Sequence, residues 1–363
     1  MSAAKTIVLA GGGTGGHFYP ALAVAESLRA RIPDVDLHYI GSKSGPEGDL
    51  ASTAGFRYDS VPSGQVRGKA PWKAMTSLTS MAAGAVAARS RVNGARAVFA
   101  TGGYASVPVV AGAWLRGVPV VVFLPDVEPG WAVRSTARMA RRIAVSNEEA
   151  LGELPREKTE VTGYPTRKRF TELSKTEARE ALGLPPDERI VLISGASTGA
   201  QRINEAVARI LPDLLEMAVV VHSTGPANYE THKSRRGELA AAARDRYHVY
   251  PLVTDMAAAM KAADLAVMRA GASVLGELPA AGLPSILIPG TFAGGHQKAN
   301  AEALAKAGAA LVLGESEFDR LLPTIKELLR SRGRLDEMAA AAKADARPGA
   351  ADRLAEIVLE VAR

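Results

Sequence analysis

A glycine-rich segment that ends in a histidine is the first part of the sequence suited to chemistry. An apolar run leads directly into Gly11-Gly-Gly-Thr-Gly-Gly-His17, and Pro20 is predicted to open the helix that follows. Consecutive glycines let a backbone approach a phosphate or sugar closely, and a helix N-terminus favours negative charge. We therefore predict a ligand at this loop, with His17 beside it as a candidate general base.

Two common nucleotide-binding motifs fit this segment poorly. Gly11, Gly13 and Gly16 satisfy GxGxxG, but a nicotinamide-binding fold also needs an acid after the second strand. Asp36 has the required spacing, but it precedes the strand predicted at Leu37–Ile40 instead of following it. No Gly-Lys-Ser/Thr follows, so the segment is not a P-loop either.

Two further small-residue segments follow strand-like runs in the second half of the chain. They are Gly195-Ala-Ser-Thr-Gly-Ala200 and Arg269-Ala-Gly-Ala-Ser273. Small residues at a helix N-terminus suit a diphosphate. Glu277 lies one turn into the second helix, where its carboxylate can accept hydrogen bonds from ribose hydroxyls or remain solvated.

These segments are part of an ordered set that resembles the MurG family, the UDP-N-acetylglucosamine transferases that convert lipid I to lipid II. The resemblance covers nearly the whole chain. Its other elements are Ser63-Gly-Gln-Val-Arg-Gly-Lys69, Gly102-Gly-Tyr104, Gly163-Tyr-Pro-Thr-Arg167, Asn204, Asp255-Met256 and His296-Gln297 with Asn300. The resemblance implies an inverting transferase that moves N-acetylglucosamine from UDP to the lipid-linked acceptor. It also implies the GT-B architecture, with two doubly wound Rossmann-like domains facing a cleft.

The resemblance assigns the site residues to two groups. The donor-binding group is Thr14, Gly15, Gly16, Arg167, Ser197, Val253, Met256, Arg269, Ser273, Glu277 and Gln297. The acceptor-side group is Gly13, His17, Tyr104 and Asp126, with His17 and Asp126 as the catalytic candidates. Val253 and Met256 are equally consistent with core positions, and Arg167 and Arg269 with surface salt bridges.

Two departures from the family pattern keep other functions open. The family usually has Gln-Gln where this chain has His296-Gln297, and His-Glu-Gln-Asn where it has Phe123-Leu-Pro-Asp126. The second departure replaces an amide with a carboxylate near the acceptor. The alternatives are a UDP-sugar transferase acting on diacylglycerol or another lipid, and a non-catalytic sugar-nucleotide-binding scaffold.

An apolar stripe with basic flanks predicts contact with an anionic membrane. Trp72, Met75, Leu78 and Met81 recur at helical spacing between clusters of Lys and Arg. Residues 1–165 hold 18 Lys and Arg against 13 Asp and Glu, so this half is basic. The stripe is also compatible with a core helix. We predict a peripheral protein on the cytoplasmic face of the plasma membrane.

Length, composition and periodicity set the frame for these sites. Short apolar runs alternate with helical patterns across 363 residues, which predicts two α/β domains. The predicted boundaries are 1–163 for the acceptor and membrane side, joined by a C-terminal helix at 350–363, and 164–349 for UDP-sugar binding. The absence of cysteine excludes disulfides and thiolate chemistry. We predict no cofactor, no obligatory metal and no nucleic-acid partner.

Overall fold

The computed structural model describes residues 6–12, 15–43, 47–64, 71–195, 199–290 and 295–363. At Gly15 and residues 71–76 only the backbone is described. The chain forms two compact units: unit 1 is Met1–Arg167 with Gly349–Arg363, and unit 2 is Lys168–Pro348.

Unit 1 is built on a seven-stranded sheet whose strands all run parallel. The strands are β1 (Thr6–Ala10), β2 (Asp36–Ser42), β3 (Arg57–Val61), β4 (Ala97–Ala100), β5 (Val120–Leu124), β6 (Arg142–Val145) and β7 (Thr159–Val161). Their order is β3-β2-β1-β4-β5-β6-β7, so the winding direction reverses between β1 and β4. All residues of β4 and β5 are buried, as expected for central strands covered on both faces.

The helices of unit 1 connect successive strands, which keeps the strands parallel. They are α1 (Gly15–Arg31), α2 (Glu47–Thr53), α3 (Pro71–Arg91), α4 (Ser106–Arg116) and α5 (Trp131–Ala137). Helices α3 and α4 pack closely because they meet at glycine: a Cβ on Gly112 would lie 2.8 Å from Ala88 Cβ. Two short 3-10 helices, Glu149–Glu153 and Arg156–Lys158, precede β7.

Unit 2 repeats the design with a six-stranded parallel sheet. Its strands are β8 (Ile190–Ser194), β9 (Val219–Ser223), β10 (Tyr247–Tyr250), β11 (Leu265–Met268), β12 (Ser285–Leu287) and β13 (Ala310–Val312). The order β10-β9-β8-β11-β12-β13 places the reversal between β8 and β11. Neighbouring residues of β8 belong to different cores, Leu192 to one and Val191 to the other, so the sheet is buried on both faces.

The helices of unit 2 cover both faces of this sheet. They are α6 (Arg169–Glu172), α7 (Lys175–Ala181), α8 (Gln201–Met217), α9 (Pro226–Glu238), α10 (Ala241–Arg244), α11 (Met256–Ala262), α12 (Val274–Ala281), α13 (His296–Lys306), α14 (Leu321–Arg330) and α15 (Arg332–Asp345). Helix α8 buries Ile203, Val207, Leu211 and Leu214, the i, i+4, i+8, i+11 stripe of an amphipathic helix. A 3-10 helix, Glu315–Arg320, leads into α14.

The last helix, α16 (Ala350–Val361), belongs to unit 1. Its buried residues include Leu354, Ile357 and Val358. A bidentate ion pair holds it to the edge strand β7, because Arg353 Nε lies 2.6 Å and Nη2 2.9 Å from the Glu160 carboxylate. This arginine lowers the pKa of Glu160.

The predicted α/β class with two doubly wound units is confirmed. The structure adds β3 and β7, which the sequence pattern did not predict. Both are edge strands without a fully buried face. Among the described residues, no helix is long and apolar enough to span a bilayer.

Candidate active site

The glycine segment after β1 lies at the reversal point of unit 1, where β1 and β4 are neighbours. Ligands of doubly wound folds bind at this point, outside the carboxyl ends of the strands. Here β1 leads into Gly11 and Gly12, and β4 leads into Thr101, Gly102 and Gly103. The predicted residues Gly13 and Thr14 lie outside the described residues, whereas Gly15 and Gly16 begin α1.

The His17 ring, in the first turn of α1, is oriented by Thr101, the residue directly after β4. Its Nδ1 lies 2.9 Å from the Thr101 carbonyl oxygen, and Thr101 Oγ1 donates to the His17 carbonyl at 2.5 Å. A carbonyl oxygen only accepts, so Nδ1 carries the hydrogen. In the neutral imidazole the lone pair is then on Nε2, which is the nitrogen able to take a proton.

Gly102 and Gly103 form the wall behind this ring. Both have left-handed φ angles, +88° and +76°. A Cβ on Gly102 would lie 3.4 Å from His17 Nδ1, and one on Gly103 would lie 2.1 Å from the Gly12 carbonyl oxygen. The position of the imidazole therefore depends on glycines from two loops.

A buried carboxylate lies beneath the first loop. Glu47 of α2 has no exposed surface, and its Oε1 accepts a hydrogen bond from Ser42 Oγ at 3.1 Å. A Cβ on Gly12 would lie only 2.3 Å from the same oxygen. Burial, together with the nearby Glu47 charge, raises the pKa of Tyr58 to about 12. Sequence patterns did not identify Glu47, which is close to the loop only because β2 is next to β1.

The other predicted residues of unit 1 lie on neighbouring loops. Tyr104 follows β4 and Asp126 follows β5, so both are at the same edge of the sheet as His17, and both are half-buried. The Arg167 guanidinium lies 5.4 Å from the centre of the Tyr19 ring on α1, a cation–π contact within unit 1. Its assignment to the donor phosphates stays a prediction.

In unit 2 the second glycine segment also lies at the reversal point, after β8. Its two ends touch, because a Cβ on Gly195 would lie 2.2 Å from the Ala200 backbone nitrogen. Helix α8 then begins without a side-chain cap and without an acid in its first turn. Such an N-terminus offers backbone N–H groups and a positive dipole end to an anion. Ser197 lies outside the described residues.

The third segment, Arg269 to Ser273, follows the adjacent strand β11. Helix α12 also begins without a side-chain cap at Ser273. Asn300 of α13 holds the segment by donating Nδ2 to the Ala270 carbonyl at 3.1 Å. Glu277, in the first turn of α12, is 7% exposed, so it is not the fully solvated helix residue of the alternative interpretation.

Arg269 is engaged within the protein. Its Nη2 lies 2.5 Å from Glu315 Oε1 and its Nη1 donates to the Ile288 carbonyl at 3.1 Å. Both members of the ion pair are buried, with side chains 6% and 7% exposed, so this is not the surface salt bridge considered from sequence. A second arginine, Arg202, also contacts Glu315.

The remaining donor-side candidates lie around the same sheet edge. Val253 is buried in a core cluster against which Met256 packs, and its backbone nitrogen donates to Ser223 Oγ at 3.3 Å. Gln297 Oε1 accepts from the Gly290 nitrogen at 2.8 Å. Among the described residues, no group of three or more His, Cys, Asp or Glu could hold a metal ion.

The predicted membrane stripe is only partly on the surface. Leu78 of α3 is 52% exposed, whereas Met81 is 7% exposed and packs inward. Met81 therefore does not belong to an exposed stripe: it lies about one turn from Leu78, and the border between the packed and the exposed face of α3 runs between the two residues. The side chains of Trp72 and Met75 lie outside the description. Three exposed apolar residues that the sequence did not single out lie on α3 and α4: Val86, Trp114 and Leu115.

Comparison with known proteins gives the family. The Glycosyltransferase family 28 N-terminal domain matches residues 7–145, and the family 28 C-terminal domain matches residues 190–354. A protein of Moorella thermoacetica is 37% identical over 98% of both chains, and one of Desulforudis audaxviator is 36% identical over 98% of both. Each is named UDP-N-acetylglucosamine–N-acetylmuramyl-(pentapeptide) pyrophosphoryl-undecaprenol N-acetylglucosamine transferase.

Solved structures share the fold. The crystal structure of Acinetobacter baumannii MurG matches with a TM-score of 0.73 and 24% identity, covering 98% of this chain and 99% of that one. A UDP-GlcNAc 2-epimerase from Neisseria meningitidis matches with a TM-score of 0.70 and 12% identity, covering 98% and 100%. Proteins that share this fold thus catalyse different reactions, so the family follows from the sequence identity to the relatives and not from the fold. On that basis the chain belongs to the MurG family within glycosyltransferase family 28.

Proposed function

We propose that this protein transfers N-acetylglucosamine from UDP-N-acetylglucosamine to the N-acetylmuramyl-pentapeptide of an undecaprenyl-pyrophosphate-linked acceptor, forming lipid II for peptidoglycan synthesis. The observation that carries the proposal is the edge of the unit 2 sheet at β8 and β11. Helices α8 and α12, which follow the adjacent strands β8 and β11, both begin there without a side-chain cap. The buried Glu277 lies one turn into α12. The names of the curated relatives supply the identity of the substrates.

Unit 2 is the proposed donor domain. The N-termini of α8 and α12 would face the diphosphate, where their dipoles favour the negative charge that builds up as UDP leaves. These two N-termini follow β8 and β11, the neighbouring strands between which the winding of the sheet reverses. Ligands of doubly wound folds bind at this reversal point. Glu277 would accept hydrogen bonds from the ribose hydroxyls.

Unit 1 is the proposed acceptor domain, with His17 as the general base. The acceptor hydroxyl oxygen attacks the anomeric carbon while the bond from that carbon to the UDP phosphate oxygen breaks, and UDP takes the bonding electrons. His17 Nε2 takes the hydroxyl proton. The Thr101 carbonyl stabilises the resulting imidazolium through Nδ1–H, which is the role of the third group in a nucleophile–base arrangement.

Asp126 is the second candidate base, and two variants separate the candidates. We expect His17→Ala to lower kcat by about 10²–10⁴-fold with UDP affinity preserved. Asp126→Asn, which restores the amide usual in the family, should retain most of kcat. A large loss in Asp126→Asn beside a nearly normal His17→Ala would assign the base to Asp126.

The proposed location is the cytoplasmic face of the plasma membrane, with peripheral attachment through α3 and α4. These helices pack against each other and expose Leu78, Val86, Trp114 and Leu115. Basic residues near their C-terminal ends, Arg89 and Arg116, suit anionic head groups. The apolar side chains would enter the interface while the arginines remain at the phosphate level.

A transfer assay tests the function directly. Radiolabelled UDP-N-acetylglucosamine is incubated with the full chain and one acceptor at a time: lipid I, diacylglycerol or no lipid. We expect label in the lipid I product, with and without EDTA. Label transferred to diacylglycerol instead would support the other lipid transferase. UDP binding without transfer to either lipid would favour the non-catalytic scaffold.

A further inference from the structure

A buried carboxylate joins two arginines at the edge of the unit 2 sheet. Glu315 begins the 3-10 helix that follows β13, and its side chain is 7% exposed. Its Oε1 lies 2.5 Å from Nη2 of Arg269, the residue directly after β11, and its Oε2 contacts Arg202 in the first turn of α8. The Arg202 side chain is 60% exposed, whereas that of Arg269 is 6% exposed. The pair of Glu315 with Arg269 is therefore the part of this group that solvent and salt screen least.

Arg269 is held at the ends of three other strands. Its backbone nitrogen donates to the carbonyl oxygen of Ser194, the last residue of β8, at 3.2 Å. Its Nη1 donates to the carbonyl of Ile288, directly after β12, at 3.1 Å. Glu315 adds the end of β13. A buried guanidinium is stable in such a place only with its counter-charge, so the position of Arg269 depends on Glu315.

The backbone that follows Arg269 leads into α12, and the structure describes all of it. The Ala270 carbonyl accepts a hydrogen bond from Asn300 Nδ2 at 3.1 Å. A Cβ built on Gly271 would meet no atom of the described residues within 4 Å, apart from its neighbours in the chain. The segment is thus held at its first two residues and has open space beside the third.

We infer that Glu315 is a positioning residue for the donor diphosphate, because it fixes Arg269 and, through Arg269, the backbone at the start of α12. The inference rests on the proposed function, which places the diphosphate at this helix N-terminus. Glu315 acts through Arg269 and is not itself a contact of the donor. Two arginines and one carboxylate together carry one net positive charge, so this group attracts a diphosphate despite the glutamate.

Loss of the carboxylate leaves the charge of Arg269 buried without its counter-charge. The guanidinium then moves towards water, and the backbone of residues 269–273 moves with it. Helix α12 itself stays in place because Val274 and Leu278 are at most 2% exposed in the core. The contact proposed between Glu277 and the ribose is therefore retained, whereas contacts of the preceding backbone with the diphosphate are weakened.

The test is titration of the full-length protein with UDP and with uridine, which lacks the diphosphate, comparing wild type with Glu315→Ala. UDP is followed by calorimetry and uridine by ligand-observed NMR. We expect the dissociation constant for UDP to rise about tenfold, equal to about 1.4 kcal/mol, and that for uridine to stay as in wild type. Equal UDP affinity in the two folded proteins would overturn the inference.

Two other results would also overturn it. Tighter binding of UDP by Glu315→Ala would mean that the carboxylate acts only by repelling the donor. An equal loss of affinity for UDP and for uridine would mean that the whole donor domain is damaged. If wild type itself fails to bind UDP, the proposed donor site is wrong, and the inference falls with it.

Asp319→Ala is the matched control. Asp319 is an exposed carboxylate of the same 3-10 helix, so this variant removes the same charge close to Glu315. Its UDP affinity should match wild type. A loss as large as that of Glu315→Ala would contradict the inference, because any change of charge on this helix would then suffice.

Glu315→Gln covers the case in which Glu315→Ala does not fold. The amide keeps the size of the side chain, but it has one acceptor oxygen where the carboxylate has two, so it cannot serve both arginines. We expect weaker UDP binding than in wild type and unchanged uridine binding. A ratio of UDP affinity to uridine affinity equal to that of wild type would refute the positioning role of Glu315.

Discussion

Replacement of Gly103 by alanine should disable catalysis by displacing Gly12 and the ring of His17 in the first turn of α1. A Cβ at residue 103 would lie 2.1 Å from the Gly12 carbonyl oxygen and 3.0 Å from His17 Cδ2. An ordinary contact begins at 3.4 Å, so the two loops must separate by about 1.3 Å. A misplacement of about 1 Å at a catalytic group can cost about 10²-fold in rate. The left-handed φ of +76° adds about 1–2 kcal/mol of backbone strain.

Gly117 supplies the matched control for that variant. It has nearly the same φ, +75°, and nothing lies within 4 Å of a Cβ built on it. Gly117→Ala should therefore lose a similar amount of stability in thermal melts but keep its kcat with the lipid acceptor. If Gly103→Ala is as active as Gly117→Ala, the loop contact does not set the position of His17.

Three other perturbations test the remaining parts of the site. Glu277→Ala should weaken UDP-N-acetylglucosamine binding by about 1.5–3 kcal/mol in calorimetry, the value of hydrogen bonds to a charged group; unchanged affinity in a folded variant would remove Glu277 from the donor site. Leu78→Asp combined with Trp114→Asp should abolish binding to anionic liposomes while transfer to a water-soluble acceptor continues, and liposome binding equal to wild type would show that this surface is not the attachment site. Burial lowers the pKa of His222 to about 3, so below pH 6.5 the unfolded chain binds a proton at this residue that the folded chain does not. The free energy of unfolding, measured with urea and circular dichroism, should therefore fall by about 2–3 kcal/mol between pH 6.5 and 4.5. The same pH dependence in a His222→Gln variant would show that His222 is not the cause.

The positions of the candidate site residues on strands, loops and helices could largely be predicted from sequence, because these elements depend on local patterns. Glycines after a buried strand and small residues before a helix are recognisable within a few consecutive residues, and the family resemblance gives them their predicted roles. His17, Ser273 and Glu277 could thus be located on the right elements. Met81 shows the limit of periodicity. Helical spacing places it near Leu78, but the side of α3 that packs inward is set by its neighbours, among them Pro108 and Gly112 of α4.

Contacts between residues distant in the chain could not be predicted from sequence. Thr101 lies 84 residues from His17, and it fixes the tautomer of that ring because β4 pairs with β1 in register. Glu315 lies 46 residues from Arg269 and neutralises a cation that the sequence assigned to the phosphates. Such partners are polar residues without a distinctive local pattern.

The sequence by itself determined the fold class, because the alternation of apolar strands and helices is encoded in short segments. It also determined the family, because an ordered set of motifs along nearly the whole chain resembles that family. Only the tertiary structure decided which groups support the loops of the candidate site. Which elements lie side by side decides where the edge strands β3 and β7 form. It also decides which buried polar side chains meet, such as His222 with Tyr247 and Asn204. Sheet order and the burial of a carboxylate, hydroxyl or imidazole are properties of the packed whole. A buried polar group needs a hydrogen-bond partner, and that partner often comes from an element that is distant in sequence but adjacent in the fold.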